Sequence, residues 1–199
     1  MDGKGRRGGL GRRAVLAAPV ILGAATVPVQ ARDAAAPVDL LLVLAVDASG
    51  SIDQDEFALQ REGIAEAVAH PAVLAAIRSK PRGAIGIAMV EWGSPGGAEA
   101  VVGWQRVSDA ASAAAAAAAL RDAPRSMQSF NAIGDALVLS GALLAAAPWR
   151  ASERTIDVSG DGPDMRSLVP ARAARDALVA DGVVVNGLAI EAASSWRDG

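Results

Sequence analysis

The stretch DLLLVLAVDASGS, residues 39–51, decides how the rest of this sequence is interpreted. An unbroken apolar run, Leu40–Val46, ends in Asp47, and Ser49 and Ser51 follow at alternate positions. An apolar run without polar alternation is typical of a strand buried on both faces, as in the centre of a parallel sheet. Because open α/β sheets bind ligands at the carboxyl ends of their strands, the sequence predicts a site at these three polar residues.

The chemistry of these side chains favours a divalent cation. One carboxylate and two hydroxyls are hard oxygen ligands, which suit Mg²⁺, Mn²⁺ or Ca²⁺. The alternative for Asp47 is a helix-capping or turn residue that binds no metal. Two serines at these offsets after a buried strand favour the metal site.

Strands and helices alternate along the rest of the sequence. Asp53-x-x-Glu56 predicts a capping box at the start of the first helix. The turn at residues 94–97 is so short that the strand after it must be antiparallel to the strand before it. The alternation predicts a doubly wound, mostly parallel α/β sheet with helices on both faces, a Rossmann-like fold. The later strands are predicted at residues 84–92, 100–107, 154–159 and 183–190.

The order of these segments resembles the von Willebrand factor type A domain. Asp-x-Ser-x-Ser after a hydrophobic strand is similar to the first part of that domain's metal-ion-dependent adhesion site. Five later segments resemble, in this order, a bacterial family of exported type A domains of unassigned function. They are SIDQDEFALQREGIAEAV (51–68), IAMVEWGS (87–94), NAIGDAL (131–137), TIDVSGDG (155–162) and VVVNGLAI (183–190). The resemblance covers about residues 38–190.

The resemblance implies that three loops surround one metal ion. The first loop carries Asp47, Ser49 and Ser51. In such sites both serines bind the ion directly, and the Asp acts mainly through water and the serine hydroxyls. The third loop supplies an Asp, which is best matched by Asp161 because it follows a strand and lies between glycines. Asp157, four residues earlier and inside the strand, is the weaker candidate.

The second loop departs from the family pattern. It normally supplies a Thr, and Asn131 occupies that position here, three residues before Gly134. A carboxamide is also a neutral hard oxygen donor, but it reaches one bond further than a Thr hydroxyl. Ser129 is an alternative ligand, and Asn131 is alternatively only the N-cap of the next helix.

Composition excludes several classes of site. The sequence has no Cys, so disulfides, thiolate zinc sites and cysteine nucleophiles are absent. Its formal net charge is -3, although Lys4, Arg6, Arg7, Arg12 and Arg13 all lie in the first 31 residues. The remainder is therefore more acidic, which argues against a nucleic-acid partner.

Residues 1–31 have the organisation of a signal peptide. A basic head precedes the apolar run Ala14–Val29, and Val29-Gln30-Ala31 ends in the small residue that signal peptidases prefer. Arg12-Arg13 makes a twin-arginine signal one alternative. An uncleaved membrane anchor is the other, but the run is short for a membrane span. We predict cleavage, no stable membrane span, a linker at residues 32–37 and a periplasmic or secreted domain at residues 38–199.

The end of the sequence also differs from the family. Residues 191–199 are polar and do not continue the pattern, whereas type A domains normally add another strand and a closing helix. The resemblance therefore implies a domain shortened at its C-terminus, with residues 183–190 as an exposed edge strand.

The leading functional expectation is an exported module that binds a protein through its metal. A partner's Asp or Glu would complete the coordination shell, no catalysis is required, and we therefore expect that the chain is not an enzyme. A metal-dependent hydrolase or phosphatase is the first alternative, because an aspartate after a strand can be a nucleophile. A scaffold that has lost its metal is the second. His70 is the only histidine and has no catalytic context, and Glu91 is interpreted as a structural or ligand-supporting residue.

Overall fold

A computed structural model of the chain describes Met1 and residues 36–190. The chain divides into two units, Met1–Arg32 and Asp33–Gly199, and the described fold belongs to the second. Apart from Met1, the predicted signal peptide lies outside the described residues, as do residues 32–35 of the predicted linker and residues 191–199. Among the described residues, no helix has the length and apolar character needed to cross a membrane.

Residues 36–190 form five strands and five helices. The strands are β1 (Val38–Asp47), β2 (Ile85–Trp92), β3 (Glu99–Val107), β4 (Ala151–Gly160) and β5 (Val184–Ala189). The helices are α1 (Gln54–Ala69), α2 (Pro71–Arg78), α3 (Ala110–Asp122), α4 (Ile133–Ala145) and α5 (Ala171–Ala180). Their order along the chain is β1-α1-α2-β2-β3-α3-α4-β4-α5-β5. The strand order is β3-β2-β1-β4-β5, and only β3 is antiparallel to its neighbour. The predicted doubly wound, mostly parallel sheet is confirmed.

Strand β1 is central because it is apolar and pairs in parallel with β2 on one side and β4 on the other. On one face of the sheet, Leu137 of α4 and Ala174 of α5 belong to the same buried cluster as Val43. On the other face, Leu120 of α3 packs in a second buried cluster with Met89 of β2. The helices therefore cover both faces, and β1 has a neighbour on each side up to Val46, with Asp47 still paired to Trp92 of β2.

The first helix starts directly after the polar loop that follows β1. The predicted capping box is present: Asp53 Oδ1 accepts a hydrogen bond from the Glu56 amide at 2.8 Å, and Glu56 Oε2 accepts one from the Asp53 amide at 3.1 Å. Because two free amides at the helix start are satisfied in this way, α1 begins at a fixed point and the loop before it has a fixed length.

Strand β5 is an edge of the described sheet. Its side chains are mostly exposed, with 54% of Val184 and 66% of Leu188 accessible to solvent. This agrees with the expectation of an exposed last strand. The absence of a further strand and closing helix stays a prediction, because residues 191–199 lie outside the described part of the chain.

Helix α4 packs directly against the backbone that precedes α5, and Gly134 permits this contact. A Cβ at position 134 would lie 1.8 Å from the Val169 carbonyl oxygen and 2.9 Å from the Ala171 amide nitrogen. Neither neighbour is a flexible side chain, so a larger residue must displace the backbone. The position of the loop between β4 and α5 thus depends on this glycine.

We predict that Gly134→Ala lowers the free energy of unfolding by at least about 1–3 kcal/mol, because the added methyl overpacks a backbone contact. Gly63 is the matched control, since it is a helical glycine with no atom within 4 Å of its added Cβ. Gly63→Ala should raise the same free energy by roughly 0.5–1 kcal/mol. Urea denaturation measures both values, and similar changes in the two variants would contradict this description of the contact.

Candidate metal centre

Three loops meet at the carboxyl end of the central strands. Asp47 is the last residue of β1, and Asp161 directly follows β4. The two strands are adjacent and parallel, with Val46 paired to Ser159, so both acidic residues emerge at the same edge of the sheet. The loop before α4 is held at this edge too, because the amide of Ala132 donates a hydrogen bond at 2.9 Å to the carbonyl of Gly93, which directly follows β2.

The Asp47 side chain is fully buried. Its Oδ1 accepts a hydrogen bond from the Ser49 amide at 2.8 Å, whereas its Oδ2 is buried with no hydrogen-bond partner among the described residues. A Cβ at Gly160 would lie 3.0 Å from Oδ2, so the glycine leaves space beside this oxygen. A buried carboxylate oxygen without a partner is unfavourable unless a cation, donor or water satisfies it.

The two serine hydroxyls face one another beside this carboxylate. Ser49 Oγ and Ser51 Oγ are 3.0 Å apart. Adjacent ligands of an octahedral Mg²⁺ ion, at about 2.0–2.1 Å from it, are separated by roughly 2.9 Å. The spacing of the hydroxyls therefore fits two neighbouring positions of such a shell. Ser49 is buried and Ser51 is exposed, so the pair connects the interior to the surface.

The second and third loops touch through Asn131. A Cβ at Gly162 would lie 2.1 Å from Asn131 Nδ2, so the glycine next to Asp161 is needed for this approach. The Asn131 carbonyl also accepts a hydrogen bond from the Met165 amide at 2.7 Å. The structure therefore places the Asn131 side chain beside the loop of Asp161.

The alternative role of Asn131 as a helix cap is wrong. The residue at the cap of α4 is Ala132, and no side chain makes a capping hydrogen bond there. The side chain of Asn131 is turned towards Gly162 instead. Ser129, the other candidate in this loop, approaches the first loop with its backbone, because a Cβ at Gly50 would lie 3.6 Å from the Ser129 carbonyl oxygen.

Asp157 is separated from these loops by its position within β4. Its Oδ1 accepts a hydrogen bond from Asn186 Nδ2 of β5 at 2.7 Å. Asp161, by contrast, is near enough to Asp47 for its charge to affect the Asp47 carboxyl. Among the described residues, no three His, Cys, Asp or Glu side chains are placed so that together they could hold a metal ion. A metal here would therefore rely on two carboxylates and neutral oxygens.

Burial raises the pKa of Asp47 above its ordinary value of 3.8. Hydrogen bonds from Ser49 oppose this increase, and the nearby charge of Asp161 adds to it. The charged form of Asp47 is therefore disfavoured in the folded protein. A divalent cation would reverse this, because it offsets both the loss of hydration and the repulsion between the carboxylates.

Two aspartates that the sequence did not identify hold the third loop in place. Asp135, in the first turn of α4, accepts hydrogen bonds from the amides of Gly96 at 2.8 Å and Leu168 at 2.9 Å. Asp164 accepts one from the Ala171 amide at 3.0 Å. Both bind backbone amides, so their role is to fix the loops. In the sequence, only the position of Asp135 within the NAIGDAL segment indicated that this residue has a role.

Glu91 is a buried structural residue. It is fully buried, forms an ion pair with Arg61 of α1, and accepts a hydrogen bond from the Ser126 amide through Oε2 at 2.5 Å. The interpretation of Glu91 as a structural residue is thus correct. The partner of its carboxylate is Arg61, which lies in helix α1 on one face of the sheet. Glu91 ties the loop between α3 and α4 to the core, next to the candidate centre.

Comparisons with known proteins agree on the fold. The model of a family described as "Protein of unknown function (DUF1194)" matches residues 37–198. Proximal thread matrix protein 1 from the mussel byssus, solved with a zinc-occupied MIDAS motif, is similar with a TM-score of 0.58 and 20% identity. That similarity covers 76% of this chain and only 36% of the matrix protein.

A second solved structure with this fold is an aerotolerance-related membrane protein from Bacteroides fragilis NCTC 9343. Its TM-score is 0.52 and its identity 20%, over 75% of this chain and 67% of that protein. No curated protein sequence matches the chain. At 20% identity these solved structures establish the fold but not the function, which has to be inferred from the residues of the site.

The raised pKa of Asp47 predicts a pH dependence of stability in the metal-free protein. The folded state holds the Asp47 proton to a higher pH than the unfolded chain does. This favourable contribution is complete below the unfolded value of 3.8 and is lost as pH rises through the folded pKa. With chelator present, wild type should therefore gain stability relative to Asp47→Asn as pH falls from 7 towards 4. Urea denaturation across this range measures the difference, and a pH-independent difference would contradict the shift.

Proposed function

The chain belongs to the DUF1194 family and has the von Willebrand factor type A-like fold, and we propose that it is an exported binding module that works through one divalent ion. The observation that carries the proposal is Asp47 Oδ2, a buried carboxylate oxygen without a partner among the described residues. Asp47 ends β1 directly before a loop with two hydroxyls 3.0 Å apart, and the carboxylate of Asp161 is close by. A hard cation would give this oxygen a partner and would offset the repulsion between the two carboxylates.

Each residue has a distinct role in this proposal. Ser49 and Ser51 would bind the ion directly through their hydroxyls, and Asp47 and Asp161 would supply its negative charge. Asn131 would offer its carboxamide oxygen where the family has a Thr. The ion would be Mg²⁺ or Mn²⁺, with Ca²⁺ as the third candidate, because all five side chains present hard oxygen ligands.

A protein partner with an exposed Asp or Glu suits such a centre. Three of the five side chains are neutral, so the ion would retain affinity for another carboxylate. Ser51 is exposed, and Asn131 and Asp161 are only partly buried, so one side of the centre faces solvent. A carboxylate from the partner would replace water on that side. The exported location depends on the predicted signal peptide at residues 1–31.

The described residues favour binding over catalysis. The sequence has one histidine, His70, whose Nδ1 accepts a hydrogen bond from the Ala72 amide at the start of α2. It follows the last residue of α1, whose 16 residues span about 24 Å from the first loop. His70 therefore does not serve as a general base at the candidate centre. Phosphatase and esterase assays with generic substrates test the hydrolase alternative, and we expect no turnover.

We predict that Mg²⁺ or Mn²⁺ stabilises the full chain by about 2.7 kcal/mol when free metal is a hundredfold above its dissociation constant. Asp47→Ala and Asp161→Ala should each abolish this gain. Both variants should be at least as stable as wild type without metal, because one of two repelling charges has been removed. Calorimetric titration and thermal unfolding, with and without chelator, measure these effects.

Asp157→Ala is the matched control for those two substitutions. Asp157 lies in β4, the strand directly before Asp161. Its carboxylate accepts a hydrogen bond from Asn186 and does not belong to the candidate metal centre. The substitution should lower stability without selectively removing the metal effect. If folded wild type shows no saturable binding of Mg²⁺ or Mn²⁺, the metal-binding proposal is wrong and the metal-free scaffold replaces it.

Asn131→Thr tests the departure in the second loop. If Asn131 is a ligand that must bend to fit its longer side chain, a Thr hydroxyl at that position should tighten Mg²⁺ binding. Asn131→Ala should weaken binding because it removes the oxygen. Calorimetric titration of both variants distinguishes the roles, and equal affinities in Asn131→Ala and wild type would exclude Asn131 from the coordination shell.

A further inference from the structure

We infer that Arg125 is a positioning residue that holds the first loop, residues 48–53, in the shape needed for metal binding. The inference rests on the proposed function, because it assigns to Arg125 a role in the same centre. Arg125 lies in the loop between α3 and α4 and is far from the first loop in sequence. Its guanidinium nevertheless contacts the backbone of the first loop at four places.

The contacts of Arg125 enclose the two serines. Nη2 donates hydrogen bonds to the carbonyl oxygens of Ala48 at 3.3 Å, Ser49 at 3.2 Å and Ile52 at 2.7 Å. Nη1 is 3.5 Å from the carbonyl oxygen of Asp53. These carbonyls lie on both sides of the Ser49–Ser51 pair, so one planar group fixes the backbone that carries both hydroxyls.

Apart from the contacts of Arg125, the Asp47–Ser49 contact, the serine pair and the hydrogen bonds of Asp53 at the start of α1, two other hydrogen bonds among the described residues involve the first loop. The Ile52 amide donates to the Ser49 carbonyl at 3.2 Å, and the Ala48 amide donates to the Trp92 carbonyl at 3.0 Å. The carbonyls of Ala48 and Ile52 face Arg125. A guanidinium presents five donors in a fixed fork, which suits several carbonyl oxygens at once. Among the described residues, the carbonyls of Ala48 and Ile52 therefore depend on this side chain for a donor, whereas the Ser49 and Asp53 carbonyls also accept backbone amides.

The core fixes Arg125 in turn. Its guanidinium carbon lies 4.7 Å from the centre of the Phe57 ring, and that of Arg61 lies 5.0 Å from the same ring. The next residue, Ser126, donates its amide to buried Glu91 at 2.5 Å, and Glu91 pairs with Arg61. Buried groups on α1 and β2 thus hold Arg125 in position, and Arg125 in turn holds the first loop.

Simple electrostatics and positioning predict opposite effects of removing Arg125. A positive side chain beside a cation site repels the cation, so its removal alone should tighten metal binding. If Arg125 orders the loop, its removal should weaken metal binding, because the ion must then order the serines itself. The sign of the change in affinity therefore distinguishes the two effects.

The experiment titrates the full chain with Mn²⁺ by calorimetry and compares three variants. Arg125→Ala should raise the dissociation constant by about 10- to 100-fold, the usual effect of losing a residue that orients metal ligands. Arg125→Lys should fall between it and wild type, because an ammonium keeps the charge but cannot span three carbonyls. Arg121→Ala is the matched control, since Arg121 pairs with Glu62 at 2.6 Å on the exposed surface, and should leave the affinity unchanged.

A second measurement follows the loop without metal. With chelator present, hydrogen exchange in residues 48–53 should be faster in Arg125→Ala and Arg125→Lys than in wild type and Arg121→Ala. Arg125→Lys keeps the test decisive if Arg125→Ala does not fold.

The outcomes separate this inference from the proposed function. If wild type binds Mn²⁺ and the Arg125 variants bind it equally or more tightly, the positioning role is wrong and the metal centre stands. If wild type binds no Mn²⁺, the proposed function fails, and the role of Arg125 in metal binding fails with it. Unchanged exchange in residues 48–53 of both Arg125 variants would overturn the loop-holding role in either case.

Discussion

The carboxylate of Asp47 is buried at the end of the central strand, and this constraint organises the site. Strand β1 pairs with β2 and β4, and Asp47 itself pairs with Trp92 of β2 at the end of the strand. One of its oxygens accepts a hydrogen bond from Ser49, and the other has no partner among the described residues. A buried charge in this state opposes folding, and the nearby charge of Asp161 increases the effect. A bound divalent ion would relieve both.

The loops around Asp47 are held by side chains that bind backbone groups. Asp135 and Asp164 accept amide hydrogen bonds from the segments around the third loop, and Glu91 accepts one from the loop before α4. Gly134 lets α4 lie against the backbone before α5. Arg125 completes the set by donating to the carbonyls of the first loop. Ligands held in this way need little rearrangement on binding, which favours a preorganised centre.

The sequence predicted the fold well because its signals are local and strong. The apolar run Leu40–Val46 predicted the central strand, and the position of Asp161 after a strand placed it beside Asp47. The alternative in which Asn131 is only the cap of α4 was wrong, because the cap is Ala132 and the Asn131 side chain lies against Gly162. Asp135 and Arg125 were missed because their partners are backbone atoms far away in sequence, and no local pattern indicates such contacts.

The ion that we propose would bind between the loops of β1 and β4, where anomalous diffraction from crystals grown with Mn²⁺ would reveal it. We expect a single strong anomalous peak within about 2.5 Å of the Ser49 and Ser51 hydroxyl oxygens, the distance expected for direct oxygen ligands. The same peak should lie on the side of the Asp47 and Asp161 carboxylates. Crystals with saturating Mn²⁺ and well-defined loops, but no peak at that position, would contradict the proposal.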